Sequence, residues 1–293
     1  MTEQVLALDG SQKMRIKELI TQNMLPENRG YKYDFLFDNC TTRLRDLVEK
    51  ASDSTVTNSL VVKEKTTYRN LIHVYLDQND KQWSKFGIDL LLGSRTDAYM
   101  NKSQVMFLPD YLMKSFDSSI ITPSKPGIAS RALVLSKAQA YPISMPVVKT
   151  NFLTTPLFIF SVILVVIVLL SFSRNERVQR IVASLDGLVF FVVGLAGLLI
   201  LFMWFGTEHL MCSDNYNIIW ALPTHAIAAF FMHSRKKWVR TYLRATAVIN
   251  ILLLLCWFVL PQELNVSFLP IILLLIFRSI ADLPQRHEGT KGH

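Results

Sequence analysis

The chain has 293 residues, of which 51% are hydrophobic, and its mean hydropathy of +0.28 is too high for an ordinary soluble protein. Its net charge at pH 7 is +8, but much of the basic excess lies in short loops between apolar segments. This distribution does not indicate a nucleic-acid surface, and no nucleic-acid partner is expected. The three cysteines show no disulfide or metal-ligand spacing, so neither a metal nor another cofactor is expected.

Residues 1–141 predict a soluble α+β domain with more helix than strand, and this length suffices for an independent core. The apolar patterns predict strands at 4–8, 31–37, 55–62 and 131–136, and helices at 12–24, from residue 40 onward, and at 68–76, 80–92 and 106–118. His73 is predicted on the exposed face of its helix. Pro142 and Pro146 indicate a linker at 142–151.

The stretch at 31–49, YKYDFLFDNCTTRLRDLVE, places Cys40 at the junction of a β-prone run and a helix. Asp38 or Asn39 is suited to cap that helix, so Cys40 is expected in or beside its first turn. Free N–H groups there, and Arg43 one turn further on, favour the thiolate form, as in an activated cysteine nucleophile. The same pattern also fits a small buried cysteine with no chemical role.

Five apolar segments follow, each close to the length that spans a bilayer. They lie at about 152–172, 185–205, 218–232, 245–260 and 266–280. The third contains Pro223, Thr224 and His225, which indicate a broken or tilted segment. The sequence therefore predicts an all-α polytopic membrane domain at 152–281, followed by a tail at 282–293.

The charges of the connecting loops predict the orientation of this domain. The loops at 173–184 and 233–244 are basic, whereas those at 206–217 and 261–265 contain no lysine or arginine. The basic loops are therefore expected in the cytoplasm. With five spans, the soluble domain lies on the periplasmic side of the inner membrane and the tail lies in the cytoplasm.

The loop at 207–217 is rich in polar side chains and is predicted on the same side as Cys40. Glu208 and His209 are candidates to polarise a substrate or bind a lipid head group, and His209 is a candidate base. Asn215, Asn217 and the intramembrane His225 are further candidates for substrate binding. The alternatives are a solvated loop with helix caps and a histidine that only bonds a neighbouring helix.

Asn39 is a candidate to assist an oxyanion hole with the backbone N–H of Cys40, or else only to cap the helix. The chain contains no GxSxG, HExxH, P-loop, dinucleotide-binding or CxxC motif. These absences exclude the common enzymes that carry such motifs, but they do not exclude a thiol enzyme.

Three stretches together resemble one family: PENRGYKYDFLFDNCTTRLRD (26–46), GIDLLLG to FLPDYLMKSFDSS (87–119), and TEHLMCSDNYNIIWALP (207–223). This is the Lnb type of lipoprotein N-acyltransferase, which has a periplasmic papain-like (permuted NlpC/P60-like) domain and five transmembrane helices. The resemblance implies that Cys40 takes an acyl chain from a phospholipid as a thioester. It would then pass the chain to the α-amine of a diacylglyceryl-cysteine lipoprotein.

In such families the partner histidine precedes the cysteine in a Gly-His motif, whereas none of the 39 residues before Cys40 is a histidine. The resemblance therefore implies that the chain begins partway through the soluble domain, and that an upstream chain or His209 supplies the base. Two other functions stay open. One is a thiol amidase or peptidase of cell-wall peptides; the other is a non-catalytic membrane scaffold.

Overall fold

The computed structural model describes residues 2–52, 54–123, 127, 129–141, 151–232, 234 and 236–281. The helices are α1 (Gly10–Met24), α2 (Cys40–Ala51), α3 (Tyr68–Gln78), α4 (Gln82–Leu91), α5 (Pro109–Asp117), α6 (Pro156–Ser171), α7 (Glu176–Phe205), α8 (Thr224–Ala228), α9 (Lys237–Leu255) and α10 (Leu269–Ala281). The strands are β1 (Thr2–Leu6), β2 (Ser54–Thr57), β3 (Ile120–Pro123), β4 (Arg131–Ala132) and β5 (Val134–Gln139). Seven short 3₁₀ helices complete the described secondary structure.

The chain divides into two compact units. The first consists of Met1–Leu71 and Tyr99–Val147, and the second of Ile72–Ala98 and Val148–His293. Residues 72–98, which the sequence placed in the soluble domain, thus pack with the helical second unit. The predicted linker at 142–151, apart from Asn151, and the predicted tail at 282–293 lie outside the described residues.

The first unit is an α+β assembly of two small antiparallel sheets with helices. β1 pairs with β5, with Thr2 opposite Gln139, while β2, β3 and β4 form a three-stranded sheet in that order. The core between helices and sheet consists of Val48, Met106, Leu112, Phe116, Ile121 and Leu133. The structure confirms several predicted elements of this unit within a few residues. They are the helices at 12–24, after residue 40 and at 106–118, and the strands at 4–8 and 131–136.

The strand predicted at 31–37 was wrong. This stretch is a turn closed by a single bridge between Asp34 and Asp38. Oδ1 of Asp34 accepts hydrogen bonds from the backbone N–H groups of Leu36 and Phe37, each at 2.9 Å. Aspartate often closes a turn in this way, and here the local bonds replace those that a neighbouring strand would have supplied.

The second unit is helical. Among the described helices, α7 and α9 are long and apolar enough to cross a membrane, and Pro156–Ser171 and Val266–Ile280 form shorter apolar helices. The core of this unit consists of residues such as Phe190, Ile200, Trp220, Leu243, Phe268 and Leu275. Asp186 and Arg278 form a buried bidentate ion pair at 2.7 and 2.6 Å, and Arg278 also donates to Ser171 Oγ at 2.8 Å.

The third apolar segment is broken, and five continuous spans are not confirmed. Residues 216–231 form two short 3₁₀ helices on either side of the five-residue α8, and Pro223 precedes α8. Proline has no N–H to donate and disfavours a helical preceding residue, which accounts for the break. The broken segment lies directly against α7, because a Cβ at Gly194 or Gly197 would overlap with the backbone of Ala226 or Ala221.

Candidate active site

Asn39 fixes the start of α2 and therefore the position of Cys40. Its side-chain oxygen accepts from the N–H groups of Thr41 and Thr42 at 2.8 and 2.9 Å. Its Nδ2 donates to the carbonyls of Phe35 and Phe107 at 2.7 and 2.9 Å. Because both of its amide hydrogens are used in this way, the side chain caps the helix and is not a donor for an oxyanion hole.

Cys40 is the first residue of α2 and is exposed. Its sulfur lies 4.0 Å from the hydroxyl of Thr41. Within the described chain, the backbone N–H of Cys40 makes no hydrogen bond, as is usual in the first turn of a helix. This N–H and the helix dipole can stabilise a negative charge close to the sulfur.

Arg43 is held by two neighbours other than the cysteine. Its guanidinium donates to both carboxylate oxygens of Asp38, at 2.7 and 3.0 Å, and lies 3.4 Å from the ring centre of Tyr31. Asp38 offsets much of the positive charge that Arg43 would present to a thiolate. Arg43 therefore stabilises the turn that precedes Cys40 and contributes less to the charge at the sulfur than predicted.

Tyr33 is a residue near the sulfur that the sequence analysis did not identify. Desolvation by neighbouring groups raises the pKa of Tyr33, although its side chain is 54% exposed, and the negative charges of Cys40, Tyr31 and Asp34 raise it further. The phenol therefore lies within electrostatic reach of the thiolate. The alternation of aromatic residues at 31, 33, 35 and 37 was the available signal, but it was interpreted as a strand.

Cys40 opens onto an apolar groove of about 740 Å³ within the first unit. Its apolar lining consists of Leu6, Leu44, Val48, Pro109, Leu112, Met113 and Phe116. The groove lies between the apolar face of α2, the helix α5 and the strand β1. A thiol on the edge of an apolar groove can hold a carbonyl carbon at the sulfur while the attached hydrocarbon chain is buried.

Two of the residues predicted to bind substrate in the polar loop at 207–217 have a structural role instead. Asn215 and Asn217 are buried, and their Nδ2 atoms donate to the carbonyls of Asp89, Leu90 and Leu91 at 2.8–3.2 Å. These carbonyls belong to the last turn of α4, where no further helical N–H group is available to donate to them. The two asparagines therefore cap the end of α4. Helix caps were the alternative interpretation of this loop, but a cap on a helix so distant in sequence was not predicted.

The remaining predicted residues also belong to the second unit. Glu208 and His209 are exposed, whereas His225 is fully buried with its Nδ1 at the hydroxyl of Tyr242. This contact agrees with the alternative that His225 bonds a neighbouring helix. In the described part of the chain, no group of three or more His, Cys, Asp or Glu side chains is arranged to hold a metal.

Two family models match the chain: the Lnb N-terminal periplasmic domain over residues 1–74 and the Lnb transmembrane domain over residues 148–287. The chain belongs to the Lnb family. It is thus a lipoprotein N-acyltransferase-like membrane protein whose N-terminal part is periplasmic. Searches of curated proteins and of solved structures gave no match. The Lnb N-terminal match includes Cys40, Asn39 and Arg43, and the Lnb transmembrane match includes the loop at 207–217 and His225.

Proposed function

We propose that this Lnb protein is a phospholipid-dependent lipoprotein N-acyltransferase with Cys40 as its nucleophile. The observation that carries the proposal is the position of an exposed thiol at a helix N-terminus, within the matched periplasmic domain and on a largely apolar groove of the first unit. Each methylene buried in such a groove contributes about 0.8 kcal/mol, so burial along its apolar side would hold a long acyl chain.

The reaction has two steps. In the first, the thiolate attacks the ester carbonyl of a phospholipid, a C–S bond forms, the C–O bond breaks, and a lysophospholipid leaves with a proton. In the second, the neutral α-amine of a diacylglyceryl-cysteine lipoprotein attacks the thioester, an amide C–N bond forms, and the C–S bond breaks. The thiolate is released and the proton of the amine passes to the proton acceptor. The backbone N–H of Cys40 is the proposed oxyanion donor, since the amide of Asn39 is already committed.

The proton acceptor for this reaction comes from outside the first unit in our proposal, because that unit contains no histidine. A second polypeptide and His209 are the two candidates. We also place the protein in the inner membrane with residues 282–293 in the cytoplasm, on the basis of the basic loops at 173–184 and 233–244.

Mass spectrometry of lipoprotein N-termini tests the proposal in cells where this chain is the sole source of N-acylation. Cys40→Ser should leave lipoproteins diacylated, whereas Cys256→Ser, at another exposed cysteine, should leave them triacylated. Altered cell-wall fragments in the Cys40→Ser cells would instead support a thiol amidase or peptidase. Unchanged lipoproteins and walls would support a scaffold.

The groove itself can be tested with Leu44→Gln, because Leu44 lines the groove and is 52% exposed, so the protein should still fold. A polar side chain at this position should slow thioester formation from a long-chain phospholipid several-fold, since burial of the chain is weakened. Leu25→Gln is the matched control, with Leu25 42% exposed and outside the groove. Thioester formation is measured with a phospholipid whose acyl chain is radiolabelled. The rate is read from the label that becomes bound to the protein and is released by hydroxylamine. Equal rates for the two variants would argue against the groove.

A further inference from the structure

A second polar cluster lies in the helical unit, and the proposed mechanism at Cys40 does not use it. His73 on α3 was predicted as a surface residue, but its side chain is only 12% exposed. Its Nε2 lies 2.8 Å from Oδ1 of Asp89 on α4, whose side chain is 1% exposed. A histidine ring held by a buried carboxylate is the arrangement that orients a general base.

Asn265 determines which ring nitrogen carries the hydrogen. Its Oδ1 accepts from the backbone N–H of Ser267 at 2.9 Å, so its Nδ2 faces Asp89 and donates to Oδ2 at 2.7 Å. Both oxygens of Asp89 therefore accept hydrogen bonds, and the hydrogen in the His73–Asp89 bond belongs to Nε2. The neutral ring then presents a lone pair at Nδ1, which has no partner among the described residues.

His73, Asp89 and Asn265 line a cavity of about 260 Å³ that belongs entirely to the second unit. Its walls come from α4, the start of α6 and residues 263–267. Glu263 also lines this cavity, while the charge of Lys85 is offset by Asp77, whose two oxygens lie 2.9 and 2.8 Å from Nζ. Leu157, Leu264 and Val266 give the cavity an apolar side.

We propose that this cavity binds a primary ammonium group and that His73 takes a proton from it. The ammonium N–H donates to Nδ1 of His73, the N–H bond breaks, and the proton moves to Nδ1 to give an imidazolium beside Asp89. The ligand leaves this step as a neutral amine, the form that can act as a nucleophile. An adjoining apolar wall fits an amine attached to a lipid, either a diacylglyceryl-cysteine N-terminus or an ethanolamine head group.

The identity of the amine as an acyl acceptor rests on the proposed function, but binding can be measured without any acyl transfer. The full chain, labelled with ¹⁵N-histidine, is placed in phosphatidylcholine nanodiscs, and the ring nitrogens of His73 are assigned by comparison with His73→Gln. The probes are a diacylglyceryl-cysteine peptide, its N-acetylated form, and phosphatidylethanolamine. Phosphatidylcholine, whose ammonium has no N–H, is the background lipid.

We expect the free-amine peptide, phosphatidylethanolamine or both to shift the Nδ1 resonance of His73, and the N-acetylated peptide to leave it unchanged. The two amine probes distinguish a lipoprotein acceptor from a lipid head group. His73→Gln should weaken binding of the active probe about tenfold, as expected for loss of a hydrogen bond to a charged group. Asn79→Ala, at an exposed residue of the same unit that does not line the cavity, should not weaken it.

Asp89→Asn provides a second variant, because an amide at this position can donate to Nε2 and move the ring hydrogen to Nδ1. It should weaken binding of the amine probe to a similar extent as His73→Gln. No shift with either amine probe, or equal shifts with the N-acetylated peptide, would overturn the inference. The outcome is separate from that for Cys40, since loss of N-acylation in Cys40→Ser does not depend on amine binding at His73.

Discussion

At the scale of single residues, Asn39 has the largest influence on where the thiol lies. Its side chain makes four hydrogen bonds, two to the first turn of α2 and two to the carbonyls of Phe35 and Phe107. The sulfur of Cys40 is thereby fixed relative to both the preceding turn and the segment that leads into α5. A cap residue with only local bonds would fix the helix but not its neighbours.

We therefore predict that Asn39→Ala destabilises the protein by about 2 kcal/mol, because it removes the cap and leaves two carbonyls without donors. Asn175→Ala is the control, since Asn175 caps α7 through a single bond from Arg177 at 2.9 Å, and its loss should cost about 1 kcal/mol or less. Thermal unfolding in detergent compares the two variants. Equal losses of stability would contradict the role assigned to Asn39.

The phenol of Tyr33 reports the charge at Cys40. Desolvation contributes most to its raised pKa, and the thiolate of Cys40 contributes next. In Cys40→Ser the negative charge is absent, so the pKa of Tyr33 should fall towards its ordinary value of about 10 without reaching it. Phenolate absorbance is followed as the pH is raised, for the wild-type protein and for Cys40→Ser. Subtracting the curve of the matching Tyr33→Phe variant isolates the titration of Tyr33 and gives its pKa. An unchanged or higher value in Cys40→Ser would show that the two groups do not interact.

At the scale of helices and strands, the sequence predicted those elements whose signals are local. The start of α2 follows from Asn39, and the helix itself follows from the spacing of Leu44, Leu47 and Val48, although only Val48 of these three is buried. The strand predicted at 31–37 failed because Asp34 closes a turn, and alternation of aromatic residues does not reveal such a bond. The roles of Asn215 and Asn217 were hidden for a different reason, since they cap a helix more than 120 residues away in sequence.

The contact between α7 and the broken segment at 216–231 gives a prediction for this scale. A Cβ at Gly197 would overlap with the backbone carbonyl of Ala221, and backbone cannot move aside as a flexible side chain can. Gly197→Ala should therefore destabilise the protein by about 1–3 kcal/mol through overpacking.

Gly187→Ala on the same helix is the matched control, because the nearest atom to its Cβ would be the carbonyl oxygen of Ala229 at an ordinary 3.6 Å. Alanine favours a helix over glycine by up to about 1 kcal/mol, so this variant should be neutral or more stable. Thermal unfolding in detergent again gives the comparison. If Gly197→Ala were as stable as Gly187→Ala, the close approach of the two backbones would not exist.

At the scale of the whole molecule, the distribution of charge gives the helical unit a direction. The basic residues cluster in the stretches at 173–184 and 233–244, which include the first turns of α7 and α9. The ion pair of Asp186 with Arg278 joins α7 to α10, with Ser171 of α6 as a third partner. Arginine and aspartate are expensive within a membrane unless they are paired, and here both lie together. With a periplasmic N-terminal domain, the orientation that we propose has these basic stretches on the cytoplasmic side of the membrane.

Cysteine labelling tests this orientation directly. Cys40 is exposed, so an impermeant maleimide should label it in intact spheroplasts. A cysteine introduced as Glu176→Cys, in a background where both exposed cysteines are replaced (Cys40→Ser and Cys256→Ser), should react only after the membrane is permeabilised. Glu176 is suited to this comparison because its side chain is 88% exposed and stands at the start of α7, beside the basic residues that the positive-inside rule retains in the cytoplasm.

Labelling of both positions in intact spheroplasts would place the start of α7 on the periplasmic side, and the number of membrane crossings between Cys40 and α7 would then be even. The apolar helix α6 would in that case be a re-entrant or surface element, because its 16 residues are slightly short of a full span.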